Sequence, residues 1–180
     1  MKKKAYEDMA FNFEKMRQQE AEEIANHWKY DGIYAFYDVS ADAEDYAEFM
    51  DPSKRGDTFF SCYANSKLIG YYAVNILEGR KAELGFGLKP EHTGKGIGLG
   101  FVNAIMEHVV SMHHVNHFVL SVALFNQRAI MVYKAAGFVE TETFTQTTNG
   151  GEYEFLRMEK DVRVSCDVYH LHVLHKQYRL

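Results

Sequence analysis

The chain has 180 residues, 47% of them apolar, which is enough for one sizeable buried core and most simply a single domain. A formal net charge of −5 argues against a nucleic-acid surface, which needs a basic stripe, and no apolar run approaches the ~20 residues of a membrane span. After Met1-Lys2-Lys3-Lys4, the residues Glu7, Asp8, Asn12 and Glu14 stand where a secretory signal would need its apolar stretch, so a cytoplasmic chain is expected.

Residues 5–13 have weak strand character. Apolar residues at Met16, Ala21, Ile24, Ala25 and Trp28 predict a helix within Glu14–Tyr30, stopped by Asp31-Gly32. Ile33–Val39 is dense in aromatics. A second helix is predicted over Ala41–Met50, closed by Asp51-Pro52. Its acids, Asp42, Glu44, Asp45 and Glu48, suit a solvated face; the sharper alternative is an acidic wall that attracts an amine. Strands follow at Thr58–Ala64, Leu68–Leu77 and Ala82–Lys89, the first two joined by a hairpin-sized loop at Asn65-Ser66-Lys67. Cys62 lies in an apolar run and suits a small core residue better than a nucleophile, and it needs no pairing with Cys166 in a reducing compartment.

Beyond the third strand comes Leu84–Ala104, LGFGLKPEHTGKGIGLGFVNA, an apolar strand that enters a helix through Gly94, Gly96 and Gly98. Alternate glycines leave backbone N–H groups uncovered, and the positive end of the following helix adds to their field, so the loop suits a phosphate or pyrophosphate. A flexible glycine turn is the plainer alternative. It is not a Walker A loop, because six residues separate Gly87 from Gly94 and Lys95 is followed by Gly96 rather than Ser or Thr. Nor is it a dinucleotide fingerprint, since Phe101 stands where GxGxxG would need its last glycine.

Gly98–His113 presents Phe101, Val102, Ile105, Met106, Val109 and Val110 on one broad face, as a helix packed on a sheet. Phe118–Phe125 is a buried strand, Asn126 caps a helix over Gln127–Ala136, and Gly137 ends it. Phe138–Thr147 and Tyr153–Glu159 flank Thr148-Asn149-Gly150-Gly151, a strong hairpin signal. The pattern predicts an α/β fold, helices on a mixed, mostly antiparallel sheet, in a domain of residues 1–160. An extension, 161–180, ends in His170-x-His172-x-x-His175; with no carboxylate or thiol placed beside them, no metal site is expected. An added edge strand, a homodimer contact and a disordered end all stay open for it.

Thr93-Gly94-Lys95-Gly96-Ile97-Gly98 resembles motif A of the GNAT superfamily of acetyl-CoA-dependent N-acetyltransferases, with Thr93 where Gln or Arg is usual. Asn126-Gln127-Arg128-Ala129 through Tyr133 to Gly137-Phe138 resembles motif B, with Ala135 where a lysine is common. The resemblance spans about residues 5–160. It implies a GNAT fold with acetyl-CoA as cosubstrate and an amine as acceptor, with no covalent enzyme intermediate. The cosubstrate would lie along Phe86, Gly87 and Leu88, where the strand parts from its neighbour and pairs by main chain with the pantetheine arm, with a bulge allowed at Gly87. It would continue over Thr93, Gly94, Lys95, Gly96, Ile97 and Gly98 to Asn126, Arg128, Ala129 and Tyr133.

The resemblance makes Tyr133 the group that protonates the coenzyme A sulfur; a packing tyrosine is the plainer alternative. A glutamate near Glu83 serves as general base in several members, and a half-buried acid suits that role through a raised pKa. Strand alternation alone allows Glu83 to face solvent equally well. A non-catalytic acyl-CoA sensor of the same fold is the alternative to an enzyme. The region Trp28–Tyr37 is weakly similar to that of ribosomal-protein N-terminal acetyltransferases, and the acceptor stays open among peptide α-amines, polyamines, aminoglycosides and other small amines.

Overall fold

The computed structural model describes residues 9–162. Tight turns build the first half of its sheet. Asn65 and Ser66, at φ of 50° and 61°, connect β2 (Phe59–Ala64) to β3 (Lys67–Leu77), and a one-turn 3-10 segment leads on to β4 (Lys81–Leu88). Two consecutive left-handed residues give a hairpin whose twist matches that of its strands. The short β1 (Asn12–Lys15) pairs antiparallel with β2, from Asn12↔Tyr63 to Lys15↔Phe60. The second half holds β5 (His117–Ala123), β6 (Val139–Thr148) and β7 (Gly151–Asp161), the last two joined through Asn149 and Gly150 at φ of 49° and 71°. The seven strands run in the order β1-β2-β3-β4-β5-β7-β6, and only β4 and β5 are parallel. This is the mixed, mostly antiparallel sheet expected from the sequence.

Helices cover both faces. On one lie α4 (Gly98–Met112) and α5 (Gln127–Ala135), where Phe101, Val102, Ile105 and Val109 meet Phe118, Leu120 and Met158 in the larger core. Cys62 is fully buried in that core, and burial pushes its thiol up to about 12, so it is an inert packing residue. On the other face α1 (Gln18–His27) and α2 (Ala43–Met50) pack through Ala21, Ile24, Ala25, Trp28 and Phe49. Glu20 fastens α1 to β2: although buried, its carboxylate accepts from Ser61 at 2.8 Å and also bonds Tyr63 and Arg17. Burial pushes its carboxyl up, but the bonds from Tyr63, Arg17 and Ser61 outweigh that and hold it below the ordinary range.

Three expectations need correction. The first helix begins at Gln18 rather than Glu14, because Asn12–Lys15 is drawn into the sheet by β2. The second helix begins at Ala43 rather than Ala41, because Asp42 caps it, and it ends at Met50 before Asp51-Pro52 as expected; Asp51 then accepts the N–H of Ser53 at 2.8 Å and Pro52 opens a further turn, α3 (Pro52–Arg55). The aromatic stretch, for which the sequence predicted no element, is a 3-10 segment over Gly32–Tyr37. No bulge occurs at Gly87, since the β3–β4 register runs unbroken from Gly70↔Leu88 to Leu77↔Lys81. Gly87 instead makes room for a ring: a Cβ there would sit 2.5 Å from Cε1 of Tyr71. Among the described residues no helix is long and apolar enough to cross a membrane. The histidines of the extension lie outside the described residues.

Candidate active site

The site grows from an incomplete ladder. β4 and β5 pair only at Lys81↔His117, Ala82↔Phe118 and Glu83↔Val119, and then diverge. In an antiparallel ladder alternate residues bond to the neighbouring strand. The N–H of Lys89 bonds Ile69 O at 2.8 Å, so odd-numbered residues of β4 engage β3. Leu84, Phe86 and Leu88 therefore turn their N–H and C=O groups toward β5. By the same reasoning, the bonds from Val162 N to Asn116 O (2.8 Å) and from Leu124 N to Glu154 O (2.9 Å) leave Ser121 and Ala123 facing β4. Two lips, on which the backbone groups of Phe86 and Ser121 have no strand partner, thus border a cleft of about 610 Å³. Unpaired strand groups of this kind accept an extended ligand as an added strand.

The glycine loop closes one end of the cleft. Gly94 and Gly96 stand at φ of 70° and 84°, and no atom lies within 4 Å of a Cβ built on either. No neighbouring atom crowds the side-chain position at either residue, which leaves room for a phosphate beside the loop. Gly98 differs, because a Cβ there would lie 3.2 Å from Cγ2 of Val132 and would press α4 against α5. Thr93 lines the cleft, but its hydroxyl donates to Pro90 O at 2.8 Å, which holds the turn before the cradle. Ile97 is buried in the core and Lys95 is exposed; neither lines the cleft.

From the α5 side, Asn126 caps its helix by accepting the N–H of Ala129 at 3.2 Å. The Arg128 guanidinium lies 3.7 Å from the ring centroid of Tyr34, a cation–π contact. Tyr133 lines the cleft with its ring edge-on to Phe86, 5.5 Å between centroids. Burial, with a smaller contribution from Tyr37, raises its phenol well above the ordinary value and keeps it protonated at neutral pH. Phe86, Gly87 and Leu88 all line the cleft, though the backbone of Gly87 is turned to β3. Glu83 occupies the last paired position, half-buried and outside the lining.

The sequence left out the opposite wall. Tyr30, Tyr34, Tyr37 and Tyr71 all line the cleft. The Tyr30 hydroxyl donates to Leu88 O on one lip at 2.9 Å, and the Tyr37 hydroxyl accepts the N–H of Ala123 on the other at 3.2 Å. Burial raises the Tyr37 phenol, against hydrogen bonds from Asn126 and Ala123. Burial and the nearby Asp45 push Tyr71 up to about 12. The density of aromatics at 30–37 was the available signal; its target, two strands far along the chain, was not written locally. His92 also lines the cleft, with its Nδ1 buried and unpartnered, and burial lowers its pKa. Asp42 is not part of an acidic wall: it caps α2 through the N–H groups of Glu44 and Asp45 and accepts the N–H of Asn149 at 3.1 Å. No cluster of metal-ligating side chains occurs among the described residues.

Comparison with known proteins places this geometry. A family model described as an acetyltransferase (GNAT) domain matches residues 10–139. Among solved structures, a spermidine N-acetyltransferase chimera from Vibrio cholerae and a second source superposes with a TM-score of 0.69 at 22% identity, over 84% of this chain and 95% of that one. An aminoglycoside acetyltransferase in complex with coenzyme A gives a TM-score of 0.66 at 20% identity, again over 84% and 95%. Spermidine N-acetyltransferase from Vibrio cholerae with CoA and spermine gives the same score, identity and coverage. A sequence comparison with curated proteins gives no match.

Proposed function

Since the chain belongs to the GNAT family of acetyltransferases, we propose that it transfers an acetyl group from acetyl-CoA directly to a primary amine. The observation that carries this reading is the unzipped ladder, with free backbone groups on both lips, the glycine cradle at one end and Tyr133 in its wall. The residues present fit the cosubstrate. Gly94 and Gly96 leave uncrowded room for a pyrophosphate, and the backbone of Phe86 can pair with the amides of the pantetheine arm.

Acetyl-CoA supplies an activated acetyl carbon. The amine must arrive neutral, and its nitrogen bonds to that carbon as the C–S bond breaks. Charge developing on the carbonyl oxygen is met by N–H groups that β4 turns into the cleft. The Tyr133 hydroxyl, held protonated, donates to the departing sulfur. The proton lost by the amine goes to Glu83, and because Glu83 lies outside the lining, an intervening water carries it.

Two variants test these roles. Tyr133→Phe keeps the ring against Phe86 but removes the hydroxyl, so kcat should fall by about 10²–10⁴-fold with acetyl-CoA affinity nearly intact. Glu83→Gln should abolish the acid limb of the pH–rate profile and spare the alkaline limb. Full turnover in both, on a confirmed acceptor, would leave positioning alone to account for the rate. Calorimetry showing no acetyl-CoA binding by the wild type would overturn the reading itself.

A further inference from the structure

The open ladder is not explained by a bulge, because the β3–β4 register runs unbroken up to Gly70↔Leu88. Neighbouring strands gain a hydrogen bond for each further pair they close, and buried groups left unpaired cost free energy. Carrying the register of Ala82↔Phe118 onward would give the N–H of Phe86 to Ser121 O. It would likewise give the N–H groups of Ser121 and Ala123 to Leu84 O and Phe86 O, and turn Leu88 O toward the chain just beyond β5. The ladder stops short of all these pairs, at Glu83↔Val119.

Two of the groups involved are already taken. The Tyr37 hydroxyl accepts the N–H of Ala123 at 3.2 Å, and the Tyr30 hydroxyl donates to Leu88 O at 2.9 Å. Each tyrosine thus gives one lip a hydrogen bond that a closed ladder would otherwise have supplied. Burial raises both phenols, so Tyr30 keeps the proton that it donates. Both hydroxyls come from one short segment whose ends are tied together. Asp38 accepts the Tyr30 N–H at 2.9 Å, and its own N–H reaches Ala35 O at 3.1 Å. The Asn149 side chain holds the middle of the segment through Phe36 O at 2.8 Å. The gap between the hydroxyls is therefore set by this segment and not by β4 or β5. Below the two tied positions, toward the paired base, the groups of Phe86 and Ser121 stay without a strand partner. An extended ligand needs such groups.

We infer that Tyr30 and Tyr37 are positioning residues for acetyl transfer. Together they hold the ladder open before the cosubstrate arrives, so that the groups of Phe86 and Ser121 stay free to bind it. This rests on the acetyl-transfer reading above for the identity of the occupant, and on the hydrogen bonds alone for the opening.

Tyr30→Phe, Tyr37→Phe and the double variant keep both rings and delete the ties. Amide exchange of the full chain without ligand reads closure directly, because the N–H groups of Phe86 and Ser121 find strand partners only if the ladder zips. Both should exchange about tenfold more slowly in the double variant than in the wild type. Calorimetry should show acetyl-CoA affinity lowered by about tenfold, since only the reopened fraction binds. Each single variant should move the same way by a smaller factor, and the singles carry the test if the double variant does not fold. Tyr46→Phe removes a comparable bond, to Asn26 at 3.0 Å between α2 and α1, and should change neither reading. Tyrosines that only stabilised the fold would, once truncated, speed exchange at both amides. Unchanged or faster exchange in the folded variants, an unchanged affinity, or equal slowing in Tyr46→Phe would overturn the inference and leave acetyl transfer standing. A wild type that binds no acetyl-CoA would overturn acetyl transfer, while slowed exchange in the variants would still establish the two ties.

Discussion

Gly96 and Gly98 stand two residues apart in one motif and answer to different constraints. Gly96 is at φ 84° with open space where a Cβ would go, whereas Gly98 lets Val132 approach. Gly96→Val forces a β-branched residue into left-handed backbone, at about 1–2 kcal/mol, and puts methyl groups over the cradle. Acetyl-CoA affinity should fall at least about tenfold. Gly98→Val should act on the fold, lowering stability by about 1–3 kcal/mol through overpacking between α4 and α5. Calorimetry and denaturant melts of the two variants separate these effects, and identical profiles would refute the distinction. The alternation of glycines was legible in the sequence; their division of labour was not, because it depends on a valine in another helix. His108 was equally hidden. Its Nδ1 lies 2.6 Å from the Tyr72 hydroxyl and its ring stacks on Phe13 at 4.8 Å. Burial, then the charge of His113, lowers its pKa in the folded chain below the ordinary value of about 6.5. As pH falls below about 6.5 the unfolded chain takes up this proton first, so stability is full above that pH and declines toward the folded pKa. Urea midpoints at several pH values should show the decline, and His108→Gln should reduce it; equal slopes in both proteins would contradict the assignment.

At the scale of elements, the tip of the β6–β7 hairpin steadies the 3-10 segment Gly32–Tyr37. The Asn149 side chain donates to Phe36 O at 2.8 Å, its N–H reaches Asp42, and the Phe36 ring meets Tyr153 at 4.7 Å and Phe125 at 5.2 Å. A turn in one hairpin thereby fixes the segment that carries Tyr34 and Tyr37. Asn149→Gly preserves the left-handed turn, at φ 49°, and deletes the side-chain bond to Phe36 O together with a longer one, 3.5 Å, from the Thr148 hydroxyl. The expected result is a loss of about 1 kcal/mol of stability. Urea melts of the variant beside the wild type check this, and equal midpoints would place the brace elsewhere. Periodicity located most strands and helices to within a residue or two, since β-branched runs, glycine turns and the Asn126 cap are local signals. It ended the first strand at residue 13, two residues short, because the pairing of β1 is supplied by β2, and it gave no element to the 3-10 segment, whose aromatics find their partners around β5 and β7.

For the whole molecule, the sequence indicated hairpins but not that β7 would insert between β5 and β6. Strand order there follows from long-range pairing, such as Leu120↔Met158, and not from any neighbouring residues. That order makes the sheet two blocks, β1–β4 and β5–β7–β6, which share the core under α4 but whose strands pair directly at only three residue pairs. An interface so short sets a thermodynamic linkage: whatever lies between the blocks works as mortar, and its chemical potential enters the free energy of unfolding. Acetyl-CoA at about 100 times its Kd should add about 2.7 kcal/mol, or roughly 5–10 °C in Tm for a chain of this size. Amide exchange at Phe86 and at Ser121, on opposite blocks, should slow together. Protection confined to the glycine loop would mean that the ligand rests on one block only, and that the two halves of the sheet keep their own separate stabilities.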